Sequence, residues 1–225
     1  MKHWDLIVVG GGIGGSALAS VMARRGKSVL VLEQSAQFQD RVRGEWIAPW
    51  GVAETKRVGL YDTLVKAGGH HLTRHVSYDE GVAPEAAEAM TMPLGMFLEG
   101  IPGPLCIGHP HHCQTLFDEA GRSGAHTLRE AQVTRVTLGR SPSVTWTKDG
   151  TEHTATAGLI VAAEGRTSLV RQAAGIQLHQ DTPHHWFAGL LVDGVKGWDD
   201  DLQAIGTEGN FGFLAFPQGA GKVRV

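Results

Sequence analysis

Glycines near the start of the chain have a spacing that suits close contact with phosphate. Gly10, Gly12 and Gly15 form the pattern Gly-x-Gly-x-x-Gly. The first glycine permits a tight turn, the second lets a diphosphate approach the backbone, and the third lets a helix pack closely on a strand. A helix beginning here would add free N–H groups and the positive end of its dipole. We therefore predict a site for the pyrophosphate of a dinucleotide, contacted by Gly10, Gly12, Ile13, Gly14 and Gly15.

An acidic residue follows at a distance that suits a ribose ligand. Glu33 comes after the glycine loop at roughly the 20-residue spacing that dinucleotide sites use. Its carboxylate can accept hydrogen bonds from the ribose diol and would repel a 2′-phosphate. Gln34, the next residue, is included among the predicted contacts.

The elements needed to position these residues are indicated in the same segment. Residues 5–10 form a short, mostly apolar run that ends in glycine, which is typical of a strand buried on both faces of a parallel sheet. Residues 13–25 predict a helix with cations in its last turn and Gly26 just after it. Residues 28–32 predict a second buried strand. Together they predict a right-handed strand–helix–strand unit.

The remaining chain gives weaker patterns. Helices are predicted at 52–60, 61–66 and 115–123. Strands are predicted at 73–79, 127–146 (two or three antiparallel strands), 158–163 (a buried apolar strand), 186–192 and 212–216. Residues 81–104, rich in glycine and proline, are expected to be irregular or short-stranded, and residues 198–201 to form a solvated loop.

A second candidate site lies where the later apolar strand ends. That strand runs directly into Glu164 and Gly165, and Ser168 and Arg171 follow on a predicted helical turn. Ligands of α/β proteins bind at the carboxyl ends of the parallel strands. Glu164 and the N–H groups around Gly165 are therefore predicted to lie at that edge of the sheet.

Composition narrows the classes of function. The 225 residues include 42% hydrophobic and 19% charged residues, with a net charge of −3. That balance gives no basic excess for binding nucleic acid. No stretch approaches the roughly 18 apolar residues of a membrane-spanning helix. The two cysteines favour a reducing, cytoplasmic setting over a disulfide scaffold.

One group of residues has the types that bind metals. His109, His111, His112 and Cys113 are nearly adjacent. Neighbouring residues do not easily converge on one tetrahedral ion, and no second pair stands at zinc-ligand spacing. No metal is therefore expected.

The two motifs together resemble those of the class A flavoprotein monooxygenases, the family of p-hydroxybenzoate hydroxylase. Its members have the glycine loop at the N-terminus and a later motif, Ala-Asp-Gly-x-x-Ser-x-x-Arg. Residues 163–171 match that motif, with Glu164 in place of the usual aspartate. The extra methylene shifts the carboxylate by about 1.5 Å. The resemblance implies FAD as the cofactor and NAD(P)H as a transient reductant, with the Glu164 and Gly165 motif touching both.

The resemblance implies further cofactor contacts. Arg43 stands where relatives place an arginine against the flavin side of FAD. His109 occupies a position where relatives often have arginine or glutamine. Val133 would lie beside the adenine.

The fold implied by the resemblance is α/β, a Rossmann-like FAD-binding domain of the glutathione-reductase type with a β-meander. Part of an antiparallel-sheet substrate domain accompanies it. The FAD-binding domain is expected to comprise 1–75 and 101–182, and the partial substrate domain 76–100 and 183–225. Relatives carry a third motif further along, Gly-Asp followed by small residues, which faces the flavin ring. The sequence has no such motif, so we expect an N-terminal fragment of a longer enzyme.

The activity implied is hydroxylation, in which one atom of O2 enters a small organic substrate, expected to be aromatic. The flavin carries the chemistry, and no catalytic side chain is assigned. One alternative is another flavoprotein of the superfamily, a halogenase or a geranylgeranyl-reductase-like enzyme, although residues 46–50 do not match the halogenase motif Trp-x-Trp-x-Ile-Pro. A second is an NAD-dependent dehydrogenase, which predicts alternating strands and helices after Glu33. A third is a catalytically inactive FAD-binding module.

Overall fold

The structure is a computed structural model that describes residues 2–41 and 45–225. The chain divides into two compact units. Unit 1 comprises Met1–Gln39 and Pro110–His184, and unit 2 comprises Asp40–His109 and His185–Val225.

Short strands outnumber helices in the described chain. The strands β1 to β15 are, in order, Lys2–Val9, Val29–Leu32, Trp46–Ile47, His70–His71, Arg74–Tyr78, Met92–Pro93, Leu105–Cys106, His126–Leu128, Gln132–Thr137, Ser143–Lys148, Thr151–Ala162, Leu191–Val192, Leu202–Glu208, Phe211–Gly219 and Lys222–Arg224. The helices α1 to α6 are Ile13–Arg24, Pro49–Arg57, Tyr61–Lys66, Pro84–Ala89, His109–Arg122 and Leu169–Ala173. A 3-10 turn covers Leu94–Met96.

Unit 1 is built on a six-stranded sheet in the order β8-β2-β1-β11-β10-β9. The first four of these strands are parallel, and β10 and β9 continue the sheet as an antiparallel meander. α1 connects β1 to the adjacent parallel strand β2. The predicted strand–helix–strand unit and the predicted α/β class are confirmed.

The two faces of this sheet bury separate apolar clusters. Because successive strand residues point to opposite faces, the apolar runs of β1 and β2 supply both clusters at once. One cluster lies on the meander side and includes Ile7, Val9, Leu30, Leu32, Val144 and Trp146. The other lies against the helices and includes Leu6, Val8, Val29, Val31, Ala19 of α1 and Phe117 of α5. Small buried residues of α1 let that helix approach the strands closely.

Unit 2 contains a six-stranded sheet in the order β12-β15-β14-β13-β5-β6 and a three-stranded sheet in the order β3-β7-β4. One face of the larger sheet packs against α4 in an apolar cluster that includes Val76, Ala87, Ala204, Ala215 and Val223.

An ion pair joins β5 to the segment before β13. Arg74 donates to Asp199 at 2.7 Å and to Asp201 at 2.5 Å, and the Thr73 hydroxyl also donates to Asp201. The Arg74 guanidinium, helped by that hydroxyl, holds the pKa of Asp201 at about 2. The expectation of a solvated loop at 198–201 is confirmed at Asp199 and Asp200, which are exposed, while Asp201 is partly exposed beside the Arg74 guanidinium.

Several predicted elements have different bounds in the structure. α5 begins at His109 and not at residue 115, and α4 forms within the stretch expected to be irregular, with Pro84 in its first turn. β13 was not predicted. Within 186–192 only Leu191–Val192 is a strand, and Trp186 and Phe187 are 97% and 90% exposed.

The later apolar strand is longer and less buried than predicted. β11 begins at Thr151 because its first half pairs with β10. That pairing ends at Thr156, and from Leu159 onward the recorded pairing is with β1. Leu159 is 56% exposed. The expectation that 158–163 is a buried strand is wrong, because Gly158, Leu159 and Ala162 are exposed and Ile160, Val161 and Ala163 are only partly buried.

The compact units do not follow the predicted domain bounds throughout. Residues 40–75 and 101–109, assigned by resemblance to the FAD-binding domain, pack within unit 2. The units describe packing, whereas the predicted division describes which ligand each part binds, and that division stays a prediction. In the described ranges, no helix combines the length and apolar character needed to cross a bilayer.

Candidate dinucleotide site

Gly10 and Gly15 are required by the packing of the loop between β1 and α1. Gly10 has a φ of 101°, in the left-handed region, and its N–H donates to the Leu32 carbonyl at 2.8 Å. A Cβ on Gly10 would lie 2.4 Å from the Ala163 carbonyl oxygen, and one on Gly15 would lie 2.0 Å from the Gly10 carbonyl oxygen. No side chain fits at either distance. These two glycines hold α1 close to the ends of β1 and β11.

Gly12 and Gly14 face open space. A Cβ added to either would have no neighbouring atom outside its own helix or adjacent residues within 4 Å. Gly12 is the N-cap of α1, with φ −69° and ψ −169°, and it makes no side-chain cap hydrogen bond. The first turn, which begins at Ile13, holds no acidic residue. The N–H groups at this helix end therefore suit an anion.

Glu33 is bonded directly to the glycine loop. Its side chain is buried, with Oε2 accepting from the Gly11 N–H and Oε1 from the Ser35 N–H, both at 2.8 Å. A carboxylate oxygen can accept more than one hydrogen bond, so both oxygens can still accept from ribose hydroxyls. The structure thus brings the predicted acid and the predicted loop together. Gln34, beside Glu33, is exposed.

Gly11 was not among the predicted contacts, although it bonds to the acid. A Cβ on Gly11 would lie 2.7 Å from Cε2 of Phe117 and 2.9 Å from Cβ of Glu33. The glycine run was visible in the sequence, but the fingerprint leaves this position open. Its requirement comes from Phe117 on α5, which the local pattern does not reveal.

The Glu164 carboxylate caps α6. Oε1 accepts from the Leu169 N–H at 3.0 Å, while Oε2 accepts from the Val170 N–H at 3.2 Å and from the Ser168 hydroxyl at 2.5 Å. Ser168 Oγ in turn accepts from the Arg171 N–H at 3.0 Å. The recorded contacts of this carboxylate are within its own segment. A contact of Glu164 with the cofactor therefore stays a prediction.

The turn at Glu164 still lies beside the glycine loop through its backbone. The Ala163 N–H donates to the Val9 carbonyl at 2.7 Å, directly before Gly10. Gly165 has a φ of 80° and is exposed, which allows the chain to turn into α6. The predicted position of Glu164 and Gly165 at the carboxyl edge of the sheet matches the structure.

The other predicted contacts are placed less directly. Val133 of β9 is partly buried against the meander-side apolar cluster, opposite Trp146. His109 is the first residue of α5. Arg43 lies outside the described residues. Their predicted contacts with FAD stay predictions.

A chain of polar side chains crosses β3, β13 and β5 in unit 2. Trp46 Nε1 donates to Gln203 Oε1 at 2.8 Å, and Gln203 Nε2 lies 3.1 Å from His75 Nδ1. His75 Nε2 lies 3.1 Å from the Ser77 hydroxyl. A neutral imidazole that accepts at Nδ1 and donates at Nε2 satisfies both contacts. Burial lowers the pKa of His75, which favours that neutral form.

The potential metal ligands are dispersed or enclosed. His112 and Cys113 are buried on α5. Across the two described ranges, no group of three or more His, Cys, Asp or Glu residues could hold a metal ion. Burial, and secondarily the charge of Glu45, raises the pKa of Cys106 to about 12, so this thiol stays protonated.

Comparison with known proteins identifies related chains. The family described as "FAD binding domain" matches residues 3–213. Squalene epoxidase 2 of Arabidopsis thaliana is 28% identical over 200 residues, which cover 85% of this chain and 32% of that protein.

Two solved structures share the fold over the whole chain. The p-nitrophenol 4-monooxygenase PnpA of Pseudomonas putida matches with a TM-score of 0.82 at 17% identity, over 100% of this chain and 57% of that one. The myxobacterial chondrochloren halogenase CndH, described as a variant of FAD-dependent halogenases, matches with a TM-score of 0.76 at 23% identity, over 100% of this chain and 52% of that one. The chain thus spans about a third of the epoxidase and little more than half of the two other enzymes.

Proposed function

This chain belongs to the FAD-binding domain family, and on that premise we propose that it holds the ADP half of FAD for an oxygen-inserting enzyme. The observation that carries the proposal is the preformed site in unit 1. The space beside Gly12 and Gly14 is open at the N-terminus of α1. The buried Glu33 carboxylate accepts a hydrogen bond from the Gly11 N–H of the same loop at 2.8 Å. The residues present therefore fit a diphosphate followed by a ribose.

The family match also decides between the alternatives for the cofactor. The predicted resemblance to the class A flavoprotein monooxygenases is confirmed. An NAD-dependent dehydrogenase would have alternating strands and helices after Glu33. The structure has the antiparallel meander of β9, β10 and β11 instead.

Each part of the site has a distinct role in this proposal. The N–H groups at the start of α1 bind the pyrophosphate, while Gly10 and Gly15 keep the helix close enough to do so. Glu33 orients the ribose and disfavours a 2′-phosphate by charge. Ser168 and Glu164 fix the first turn of α6.

A bound flavin would supply the redox chemistry, accepting electrons from a nicotinamide and passing them to O2 for insertion into a substrate. We propose NAD(P)H as that reductant and a small organic molecule, aromatic in the first instance, as the substrate. The net charge of −3 argues against nucleic acid as a partner, and a cytoplasmic setting stays a prediction.

Epoxidation of an alkene is a second candidate reaction. It is favoured by the identity with a squalene epoxidase over 85% of this chain. The fold match with a halogenase, at 23% identity, does not separate halogenation from hydroxylation. A catalytically inactive FAD-binding module is the remaining alternative.

A visible absorption spectrum tests the cofactor directly. The purified chain, incubated with FAD and passed through a desalting column, is expected to retain flavin bands. Retention of NAD with no retention of flavin would contradict the proposal. For the reaction, NAD(P)H oxidation by the FAD-loaded protein is followed with a phenol, with a long-chain alkene and with neither. Faster NAD(P)H oxidation with the phenol supports hydroxylation, and faster oxidation with the alkene supports epoxidation. No stimulation by either compound supports the inactive module.

A further inference from the structure

We propose that Arg129 is a positioning residue for the ribose-binding carboxylate, setting Glu33 through the backbone that follows it. Arg129 lies just after β8, in the connection to β9. The inference rests on the proposed function, in which Glu33 binds the ribose. Arg129 lies outside both the glycine motif and the Glu164 motif.

The guanidinium of Arg129, a partly buried residue, contacts two aromatic rings and three neutral acceptors. Its centre lies 4.3 Å from the ring centroid of Phe38 and 4.5 Å from that of Phe117. Both distances are within the range of cation–π attraction. It donates to the carbonyls of Ser35 and Ala36, each at 3.2 Å, and to Gln114 Oε1 at 2.6 Å. A cation held in this way fixes the geometry of its neighbours.

The backbone bonded by Arg129 is the backbone that holds Glu33. The Ser35 carbonyl accepts from Arg129, while the Ser35 N–H donates to Glu33 Oε1 at 2.8 Å. The residues that flank Arg129 in sequence also bond to Glu33: the Glu33 N–H donates to the Leu128 carbonyl at 2.9 Å, and the Ala131 N–H donates to the Glu33 carbonyl at 3.0 Å. Arg129 therefore ties the residues that follow Glu33 to the connection between β8 and β9.

Phe117 extends the same arrangement to the glycine loop. The ring that stacks on Arg129 lies so close to Gly11 that a Cβ there would be 2.7 Å from it. Gly11 donates the second hydrogen bond to the Glu33 carboxylate. One aromatic ring thus contacts both the positioning cation and the loop that shares the acid.

The turn that presents Arg129 is itself fixed. Glu130 has a φ of 56°, which is uncommon for a residue with a side chain. Lys148 Nζ donates to the Arg129 carbonyl at 3.0 Å. Such conformations persist where the surrounding contacts determine them, often at ligand sites.

Loss of the planar guanidinium should release the residues after Glu33, so that the carboxylate no longer faces a 2′-substituent in one orientation. Lysine keeps the charge but lacks the planar set of donors that spans Ser35, Ala36 and Gln114. Discrimination between a 2′-hydroxyl and a 2′-phosphate is the property that reports this change. A general loss of protein stability would lower the affinity for both ligands by the same factor.

The test measures the dissociation constants of ADP-ribose and 2′-phospho-ADP-ribose by calorimetry, in the wild type, Arg129→Met and Arg129→Lys. The wild type is expected to prefer ADP-ribose by at least about tenfold, equivalent to 1.4 kcal/mol. Both variants are expected to narrow that ratio severalfold, and Arg129→Lys provides the answer if Arg129→Met does not fold. Arg135→Met, on an exposed site of β9, is the matched control and should leave the ratio unchanged.

The inference would be overturned if Arg129→Lys left the ratio of the two dissociation constants unchanged, whether or not the affinities for both ligands fell by the same factor. Glu33→Gln separates this failure from failure of the proposed function. If Glu33→Gln also leaves the ratio unchanged, or if the wild type binds neither ligand, the assignment of Glu33 to the ribose falls, and the role of Arg129 with it. If Glu33→Gln narrows the ratio and the Arg129 variants do not, only the inference about Arg129 falls.

Discussion

Four glycines where β1 leads into α1 fall into two pairs with different surroundings. Gly10 and Gly15 are enclosed by backbone atoms, so a side chain there would break the packing. Gly12 and Gly14 are open, so the protein itself does not require glycine there. At the residue scale, the second pair is therefore the one reserved for a ligand.

Substitution of Gly12 should separate binding from folding. Gly12→Ala has an ordinary φ of −69° and open space around the new methyl group, so the melting temperature should stay close to that of the wild type. The methyl group would occupy the approach of the pyrophosphate, so FAD affinity should fall by at least about tenfold. Thermal melts and FAD fluorescence titration measure the two properties.

Gly15→Ala is the contrasting variant, since its Cβ would lie 2.0 Å from the Gly10 carbonyl oxygen. It should lower the melting temperature or prevent folding. Full FAD affinity in Gly12→Ala would show that the pyrophosphate does not pass over this residue.

The contribution of Ser168 to protein stability can be measured separately from cofactor binding. It caps α6 and bonds to Glu164 at 2.5 Å. Ser168→Ala should therefore lower the free energy of unfolding by about 1 kcal/mol, as measured by urea denaturation. Ser141→Ala, in an exposed turn, is the control. Equal stability of both variants would mean that the cap contributes nothing measurable.

At the scale of elements, the polar chain from Trp46 to Ser77 makes unit 2 sensitive to pH. Burial lowers the pKa of His75, and also that of His71, which lies within hydrogen-bonding distance of Tyr61 and of two carbonyls. Both are thus favoured as neutral imidazoles in the folded protein. In the unfolded chain their pKa is about 6.5.

The free energy of unfolding should therefore fall as the pH decreases below about 6.5, because the unfolded chain then binds more protons than the folded one. His75→Gln keeps hydrogen-bonding groups but cannot take up a proton, so its stability should fall less over the same interval. Urea denaturation at about pH 7.5 and about pH 5.5 compares the two proteins. An identical loss in wild type and variant would contradict a buried neutral His75.

Local patterns predicted the elements that hold the glycine loop, and they failed where distant residues decide. β1, α1 and β2 follow from one continuous segment, in which apolar runs and glycines agree. β13 was missed because it pairs with β5, which lies far earlier in the chain, and such a partner is absent from a local pattern. α4 was missed although Pro84 and Glu85 in its first turn are local helix signals, because the glycines and prolines around it favoured an irregular segment.

The candidate site shows the same division. Gly10, Gly12, Gly15 and Glu33 were predicted because their spacing alone carries the chemistry. Gly11 and Arg129 were missed because Phe117, which contacts both, lies on α5 far along the chain. The capping of α6 by Glu164 likewise needed the actual path of the turn.

At the scale of the whole molecule, the chain covers 57% of PnpA and 32% of the squalene epoxidase. The residues that we propose bind the adenosine and pyrophosphate half of a dinucleotide lie in unit 1. The contact proposed for the flavin half, Arg43, lies outside the described residues. Binding should therefore depend chiefly on the ADP moiety.

The most direct measurement compares the dissociation constants of FAD and FMN, which lacks the adenosine half, for the purified chain. We predict that FAD binds at least about tenfold more tightly than FMN, a difference of 1.4 kcal/mol or more in binding free energy. We also predict that ADP-ribose displaces bound FAD. Equal affinity for FAD and FMN, or failure of ADP-ribose to compete with FAD, would contradict the assignment of the glycine loop and Glu33 to the ADP half of the cofactor.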